Sequence, residues 1–234
     1  MTINAPKQTG NMYSEYWTWN PLAGACQHDC HYCSTKALMR YPVIREKYTG
    51  PPRLVESYLN DDLGSGRDIF VVAQGDLMAS NVPAEFIERI LKHCCDYPHN
   101  TYLLQTKNPE RFAEFEGRYP PGVIFCITLE SDMWYPQMGK APAPVNRIKA
   151  LEQFIIEREV KTTIQITIEP IMKFNIGRMI NMIARIDPNI VAIGADSKHH
   201  HLHEPSGLEV IKLIKELNNI TTVKIKSNLK RITG

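Results

Sequence analysis

Residues 16–33 read Tyr16-Trp17-Thr18-Trp19-Asn20-Pro21-Leu22-Ala23-Gly24-Ala25-Cys26-Gln27-His28-Asp29-Cys30-His31-Tyr32-Cys33. The opening residues predict a strand over 16–20, because aromatic and β-branched side chains suit a pleated, covered surface. Three cysteines then fall on the loop directly behind that strand. Further short apolar or β-branched runs follow at 69–73, 101–105, 123–128, 163–168 and 190–193, with a weaker one at 222–225. Most are continuous rather than alternating, as expected for strands covered on both faces.

Helical patterns separate these runs. Ile87, Ile90, Leu91 and Cys94 follow i, i+3, i+4, i+7 spacing on a helix that starts near Pro83. Asn108-Pro109-Glu110 reads as an N-cap followed by proline in the first turn. Val210, Leu213, Ile214 and Leu217 form an amphipathic helix behind Gly207. Residues 130–146, with Pro136, Pro142 and Pro144, read as a long loop. Strands alternating with helices imply a parallel sheet. Six or so β-α units in 234 residues fall short of a closed eight-unit barrel, which takes about 250 residues. The predicted fold is therefore α/β, a partial (β/α)6-type TIM barrel in a single domain over 1–234, with a flavodoxin-like open sheet as the competing architecture. Both place functional groups where strands end and loops begin.

The chain is 43% hydrophobic and 22% charged, enough to bury a real core. No stretch of about 18 uncharged apolar residues is present to span a bilayer, and residues 1–8 lack the apolar core of a secretory signal. A cytoplasmic, membrane-free protein is expected. A net charge of +2 neither demands nor excludes a nucleic-acid partner. Of the six cysteines, three crowd into Cys26, Cys30 and Cys33, and in a cytosolic chain such crowding points to a metal rather than to disulfides.

The spacing C-x3-C-x2-C puts three thiolates on one compact loop. They can ligate three irons of a cubane [4Fe–4S] cluster and leave the fourth open to a small chelating molecule. The alternative is a zinc site completed by His28 or His31, although structural zinc sites usually combine two ligand pairs far apart in sequence.

This motif, with an aromatic residue just before its third cysteine, closely resembles that of the radical-SAM superfamily. Further segments resemble a phage-associated radical-SAM family and, more distantly, spore photoproduct lyase. They are Trp19-Asn20-Pro21, Gln74-Gly75-Asp76-Leu77, Leu103 to Pro109, Thr128-Leu129-Glu130, Ile168-Glu169-Pro170 and Ile193-Gly194-Ala195-Asp196, each at the carboxyl end of a predicted strand. The resemblance implies an enzyme that holds a [4Fe–4S] cluster on Cys26, Cys30 and Cys33. It implies reductive cleavage of S-adenosylmethionine to a 5′-deoxyadenosyl radical, with an electron donor such as flavodoxin or ferredoxin. Gln74, Gly75 and Asp76 stand where that superfamily meets the cofactor's ammonium group, with Asp76 as the acceptor and Gly75 allowing close backbone approach. Thr128 and Glu130 stand where ribose hydroxyls are often held, Tyr32 offers its backbone to the adenine, and Glu169 is a further contact. Lys107 pairs with the methionyl carboxylate or with a substrate anion. Where relatives tend to have Gly-Gly-Glu-Ser-Gly, this chain has Ile193-Gly194-Ala195-Asp196-Ser197, a shortened carboxylate on the substrate side.

Cys126 shares strand parity with Thr128, so the two face the same side. A thiol there could return a hydrogen atom to a product radical, as in spore photoproduct lyase, whereas a buried inert cysteine is commoner. His199, His200, His201 and His203 could serve a metal, protons or an anionic substrate, or simply form a polar loop. Lys224, Lys226, Lys230 and Arg231, joined by Lys161 and Arg147, suggest a basic patch that either tracks phosphates or guards a sheet edge. Cys94 and Cys95 carry no assigned role. The substrate read from the resemblance is a nucleobase or nucleotide, possibly in DNA. A peptide or small metabolite, or a non-catalytic zinc module binding nucleic acid, is the alternative.

Overall fold

A computed structural model describes residues 3–7, 13–158 and 162–234 of the chain. In chain order the first elements are β1 (Trp17–Trp19), β2 (Leu22–Ala23), α1 (Ser34–Leu38), α2 (Pro42–Lys47), β3 (Arg53–Leu54), β4 (Asp68–Val71), α3 (Ala84–Cys95) and β5 (Thr101–Thr106). They are followed by β6 (Val123–Thr128), α4 (Pro144–Glu157), β7 (Thr163–Ile168), α5 (Ile176–Ile186), β8 (Ile190–Ile193), α6 (Gly207–Leu217), β9 (Thr222–Ile225) and α7 (Lys230–Thr233).

Seven strands form one sheet in the order β1-β4-β5-β6-β7-β8-β9, and every neighbouring pair is parallel. This order never reverses. A flavodoxin-like sheet needs a switch point, where the strand order turns back on itself, so the competing architecture is excluded and the partial barrel stands. The small antiparallel pair of β2 and β3, which encloses α1 and α2 in the chain, lies outside this sheet.

Side-chain parity sorts each strand into two faces. Ile69, Val71, Tyr102, Leu104, Phe125, Ile127, Ile164, Ile166, Ile168, Val191 and Ile193 join the main core. They pack against Ile87, Ile90, Leu91 and Cys94 of α3, Leu151 and Phe154 of α4, Ile183 of α5 and Leu213 of α6. Each such side chain contributes about 1.5–3 kcal/mol through burial. The opposite face carries a small apolar cluster, Phe70, Leu103 and Cys126, but also Gln105, Thr128, Gln165 and Thr167. That inner face is where polar chemistry is available.

Two expectations change. Asn108 does not cap a helix: residues Pro109–Phe115 form a 3-10 segment without a side-chain cap, and the Asn108 amide instead donates to the Met78 carbonyl at 2.8 Å. The loop after β6 ends sooner than 146, because Pro144 occupies the first turn of α4, where its missing N–H costs nothing.

Candidate cluster and cofactor site

The cysteine loop begins behind β2 and is shaped from outside by residues 136–141. Lys140 N–H donates to the His28 carbonyl at 2.7 Å, and His31 N–H to the Gln137 carbonyl at 2.8 Å. Gly139 is required there, because a Cβ would lie 2.2 Å from the His28 carbonyl oxygen and the residue sits at φ +66. Cys30, Tyr32, Met138, Met172 and Leu202 pack together at this rim, with Cys33 and Tyr135 partly buried against them.

The three thiols are close enough to influence one another's ionisation. Burial pushes the Cys26 thiol up to about 12, nearby Asp76 adds to this, and a hydrogen bond from the His28 N–H opposes it. Burial also raises Cys30, against the pull of Lys107. Binding iron would strip these protons, so metal affinity is linked to pH. Among the described residues no three of His, Cys, Asp and Glu converge as they would around one metal ion. His28 Nε2 lies 2.8 Å from Asp76, and its Nδ1 is buried without a partner.

Asp76 is almost fully buried and accepts four hydrogen bonds: from Met78 N–H (3.0 Å) and Thr106 Oγ1 (2.7 Å) on one oxygen, and from Lys107 N–H (2.8 Å) and His28 on the other. Burial raises its pKa, but His28 and these donors outweigh burial and hold the carboxyl below its usual value. The carboxylate expected to receive the cofactor's ammonium group thus already holds four protein donors. Its acceptor positions are taken, and it fastens β4, β5 and the cysteine loop together. Just before it, Val72 adopts φ 56, a left-handed conformation that costs a β-branched residue about 1–3 kcal/mol. A side chain at position 75 would press to 3.0 Å from Val72 Cγ1, so Gly75 belongs to this tight turn. Gln74 is held through its backbone, accepting from Thr35 Oγ1 at 2.9 Å and donating to Asn20 Oδ1 at 3.0 Å.

Glu130 is likewise surrounded by protein donors. Its side chain is 0% exposed, with Lys107 Nζ at 2.6 Å on one oxygen and Arg147 Nη1 at 2.6 Å on the other. The Tyr32 hydroxyl donates to it as well. Burial raises this carboxyl, yet the Arg147 and Lys107 charges keep it well below the carboxylate range. Three protein donors thus occupy the group expected to hold ribose hydroxyls. Lys107 likewise pairs inward, and its ammonium also sits 5.1 Å from the Tyr32 ring centroid. Two cations around one anion leave a net positive site beside Cys30, and Arg147 Nη2 is buried without a partner.

On the inner sheet face, the Tyr13 hydroxyl donates to Gln105 Oε1 at 2.6 Å. Its one proton being used there, the 2.9 Å contact with Thr167 runs from the Thr167 hydroxyl to Tyr13. That in turn makes Thr167 the acceptor of the Cys126 thiol at 3.3 Å. Gln105 Nε2 closes the chain on Thr128 Oγ1 at 3.1 Å. Cys126 and Thr128 do share a face.

Glu169 and Asp196 are both engaged. Glu169 forms an ion pair with Lys226. Asp196 accepts from Lys198 N–H at 3.0 Å, from His200 Nδ1 at 2.7 Å and from the His200 N–H, and these bonds outweigh the effect of burial and lower its pKa. His200 meets His31 edge-on at 5.7 Å, while His199, His201 and His203 are exposed. The basic patch is thinned: Lys226 is spent on Glu169 and Arg231 on Glu204, Arg147 lies at the heart of the site, and Lys224 and Lys230 stay exposed. Lys161 falls outside the described residues. Cys94 is core.

Sequence reasoning overlooked Arg147, His28, Thr106 and Tyr13 as builders of this region. Nothing local marks Arg147 as buried, since its partner lies 17 positions away. His28 was legible only as a candidate zinc ligand on the cysteine loop, not as the partner of Asp76.

A family described as a protein of unknown function, DUF5131, matches residues 11–173. No curated protein matches the chain by sequence. Among solved structures, a tyrosine-to-phenylalanine variant of spore photoproduct lyase is similar at TM-score 0.64 and 8% identity, over 95% of this chain and 79% of that one. The lyase complexed with dinucleoside spore photoproduct gives 0.56 at 10% identity, over 94% and 65%. A double variant with bound AdoMet and dinucleoside spore photoproduct gives 0.54 at 8%, over 93% and 64%. At these identities the likeness establishes the fold, which is that of spore photoproduct lyase. No helix among the described residues is long and apolar enough to cross a membrane.

Proposed function

Given that the chain belongs to the DUF5131 family, whose description assigns no activity, we propose from its site that it is a radical-SAM enzyme acting in the cytoplasm as a single domain. The observation that carries this reading is the three-cysteine loop at the carboxyl rim of a sequential parallel half-barrel. Its thiols lie close enough to influence one another's ionisation. Cys26, Cys30 and Cys33 would hold a [4Fe–4S] cluster. Such a group, when bound, supplies the electron that splits S-adenosylmethionine into methionine and a 5′-deoxyadenosyl radical.

The protein's own residues do the rest. Lys107 and Arg147, in excess over Glu130, offset the cofactor's carboxylate beside Cys30. The Gln74-Gly75 turn presents backbone to its ammonium end, and Thr128 and Tyr32 line the way to the inner face. A flavodoxin- or ferredoxin-type donor supplies electrons. Cys126, oriented by Thr167, returns a hydrogen atom to the product radical, and its thiyl is reset by one electron from the same donor and one proton. Asp196 and His200 stand on the substrate side of the mouth. A nucleobase in DNA is the substrate class, supported by the likeness to a lyase whose structure contains dinucleoside spore photoproduct.

Anaerobic reconstitution tests this. Iron and acid-labile sulfide near four each per chain, with 5′-deoxyadenosine formed on reduction, are the expected results. Zinc without sulfide would end the proposal.

A further inference from the structure

Residues 34–54 hold five cations, Lys36, Arg40, Arg45, Lys47 and Arg53, against the single Glu46. That local net charge of +4 exceeds the +2 of the whole chain, so the remainder is net negative. We infer that the α1–α2 segment is the surface on which a DNA strand docks beside the cysteine loop, a deepening that rests on the nucleobase reading above.

Pairing sorts the cations of this segment. Lys36 is neutralised by Asp29, and Lys47 turns inward to the Asn20 carbonyl at 2.9 Å and the Tyr58 ring. Among the described residues no carboxylate lies within salt-bridge reach of Arg40, Arg45 or Arg53. Arg53 binds only the Thr49 and Glu46 carbonyls, which leave its charge intact. Arg40 lies over the Tyr41 ring. Three unneutralised guanidiniums suit phosphate, which they meet through paired N–H groups. A positive segment on an otherwise negative chain also steers a polyanion to that one place.

Position and stiffness agree with this use. α1 starts at the residue after Cys33 and is pinned by Thr35 to the Gln74 carbonyl. The far end is clipped by the β2–β3 pair, by Gly24 N–H to Lys47 (2.8 Å) and by Ala25 N–H to Gly50 (2.9 Å). Phosphates held here would sit at a fixed offset from the reactive mouth. Tyr41 and Val43, 50% and 75% exposed, offer flat and apolar contact to sugars and bases. A membrane is the poorer occupant, because the two helices span five and six residues and present no extended apolar face.

Fluorescence polarisation with a labelled DNA duplex, from about 50 to 200 mM salt, decides the matter. The Arg40→Gln/Arg45→Gln protein should bind at least tenfold more weakly at the low end, and its log–log salt slope should fall by about 2. Lys224→Gln/Lys230→Gln, on the carboxyl-terminal patch, should stay within twofold of the native protein. Four results would overturn the surface: native-like binding by the arginine variant, the loss appearing in the lysine variant instead, tighter binding of an RNA duplex, or capture by phosphatidylserine vesicles without DNA binding. Iron content and 5′-deoxyadenosine yield are read on the same preparations. Cofactor cleavage without DNA binding removes this surface and leaves the enzyme, whereas DNA binding without iron or sulfide removes the enzyme reading and leaves the surface.

Discussion

Replacing Glu130 by glutamine keeps its shape and removes its charge, leaving the Lys107 and Arg147 cations facing each other. Breaking a buried ion pair from one side costs about 3–5 kcal/mol, since the surviving charge stays desolvated. Here the two survivors differ. Lys107 is 14% exposed and can swing its ammonium toward water, but Arg147 is 0% exposed and cannot. The lower half of the range applies, about 3–4 kcal/mol. With a urea m-value near about 3 kcal/mol/M for a chain of this size, the unfolding midpoint should drop by about 1 M. The acid limb gives an independent check. Because Glu130 is held below its ordinary 4.5, the unfolded chain binds a proton at Glu130 before the folded one does. The stability it contributes is fully present above about pH 4.5 and is lost as pH falls toward the depressed folded value. Glu130→Gln should therefore lose stability less steeply below pH 4.5, by up to about 1.4 kcal/mol per pH unit. A midpoint within about 0.2 M of native urea values, or superimposable acid limbs, would refute the reasoning.

Alanine at Cys26, Cys30 or Cys33 should abolish the brown cluster absorption and 5′-deoxyadenosine formation together, whereas alanine at Cys94 or Cys95 should spare both; visible spectra and product chromatography read this out. Asp76→Asn turns acceptors into an amide that faces the Thr106 and Lys107 donors, so iron retained per chain should fall by half or more and stability by about 2–3 kcal/mol. Full iron content with native stability would show that Asp76 does not brace the loop. Cys126→Ala should keep the cluster and cofactor cleavage while raising the ratio of 5′-deoxyadenosine to final product; an unchanged ratio, measured by mass spectrometry, would reduce Cys126 to packing.

Much of the fold was legible because continuous β-branched runs leave few choices. The strands at 123–128, 163–168, 190–193 and 222–225 appear with the bounds the sequence predicts. The α1–α2 segment and the β2–β3 pair were not, because they are short and their order comes from contacts such as Gly24 with Pro51, 2.3 Å from where a Cβ would sit. The site divides similarly. Motif spacing located the cysteines and placed Asp76 and Glu130 on the right rim, but not the partners that occupy them. Those partners arrive from 17 to 98 positions away, and no local pattern encodes which carboxylate a distant arginine will claim.

The brace that residues 136–141 form against the cysteine loop sets an order of events during synthesis. A sheet whose strands pair strictly in chain order can grow as the chain emerges, one unit laid on the last. The cysteines appear early in that sequence, yet Cys30 meets Met138 across 108 positions and Tyr32 meets Glu130 across 98. Until four β-α units exist, the three thiols belong to an unshaped loop, exposed to stray metals and oxidants. If these cysteines hold the proposed cluster, its insertion waits for the middle of the chain, and a ribosome stalled before residue 141 would display them without the brace that shapes their loop.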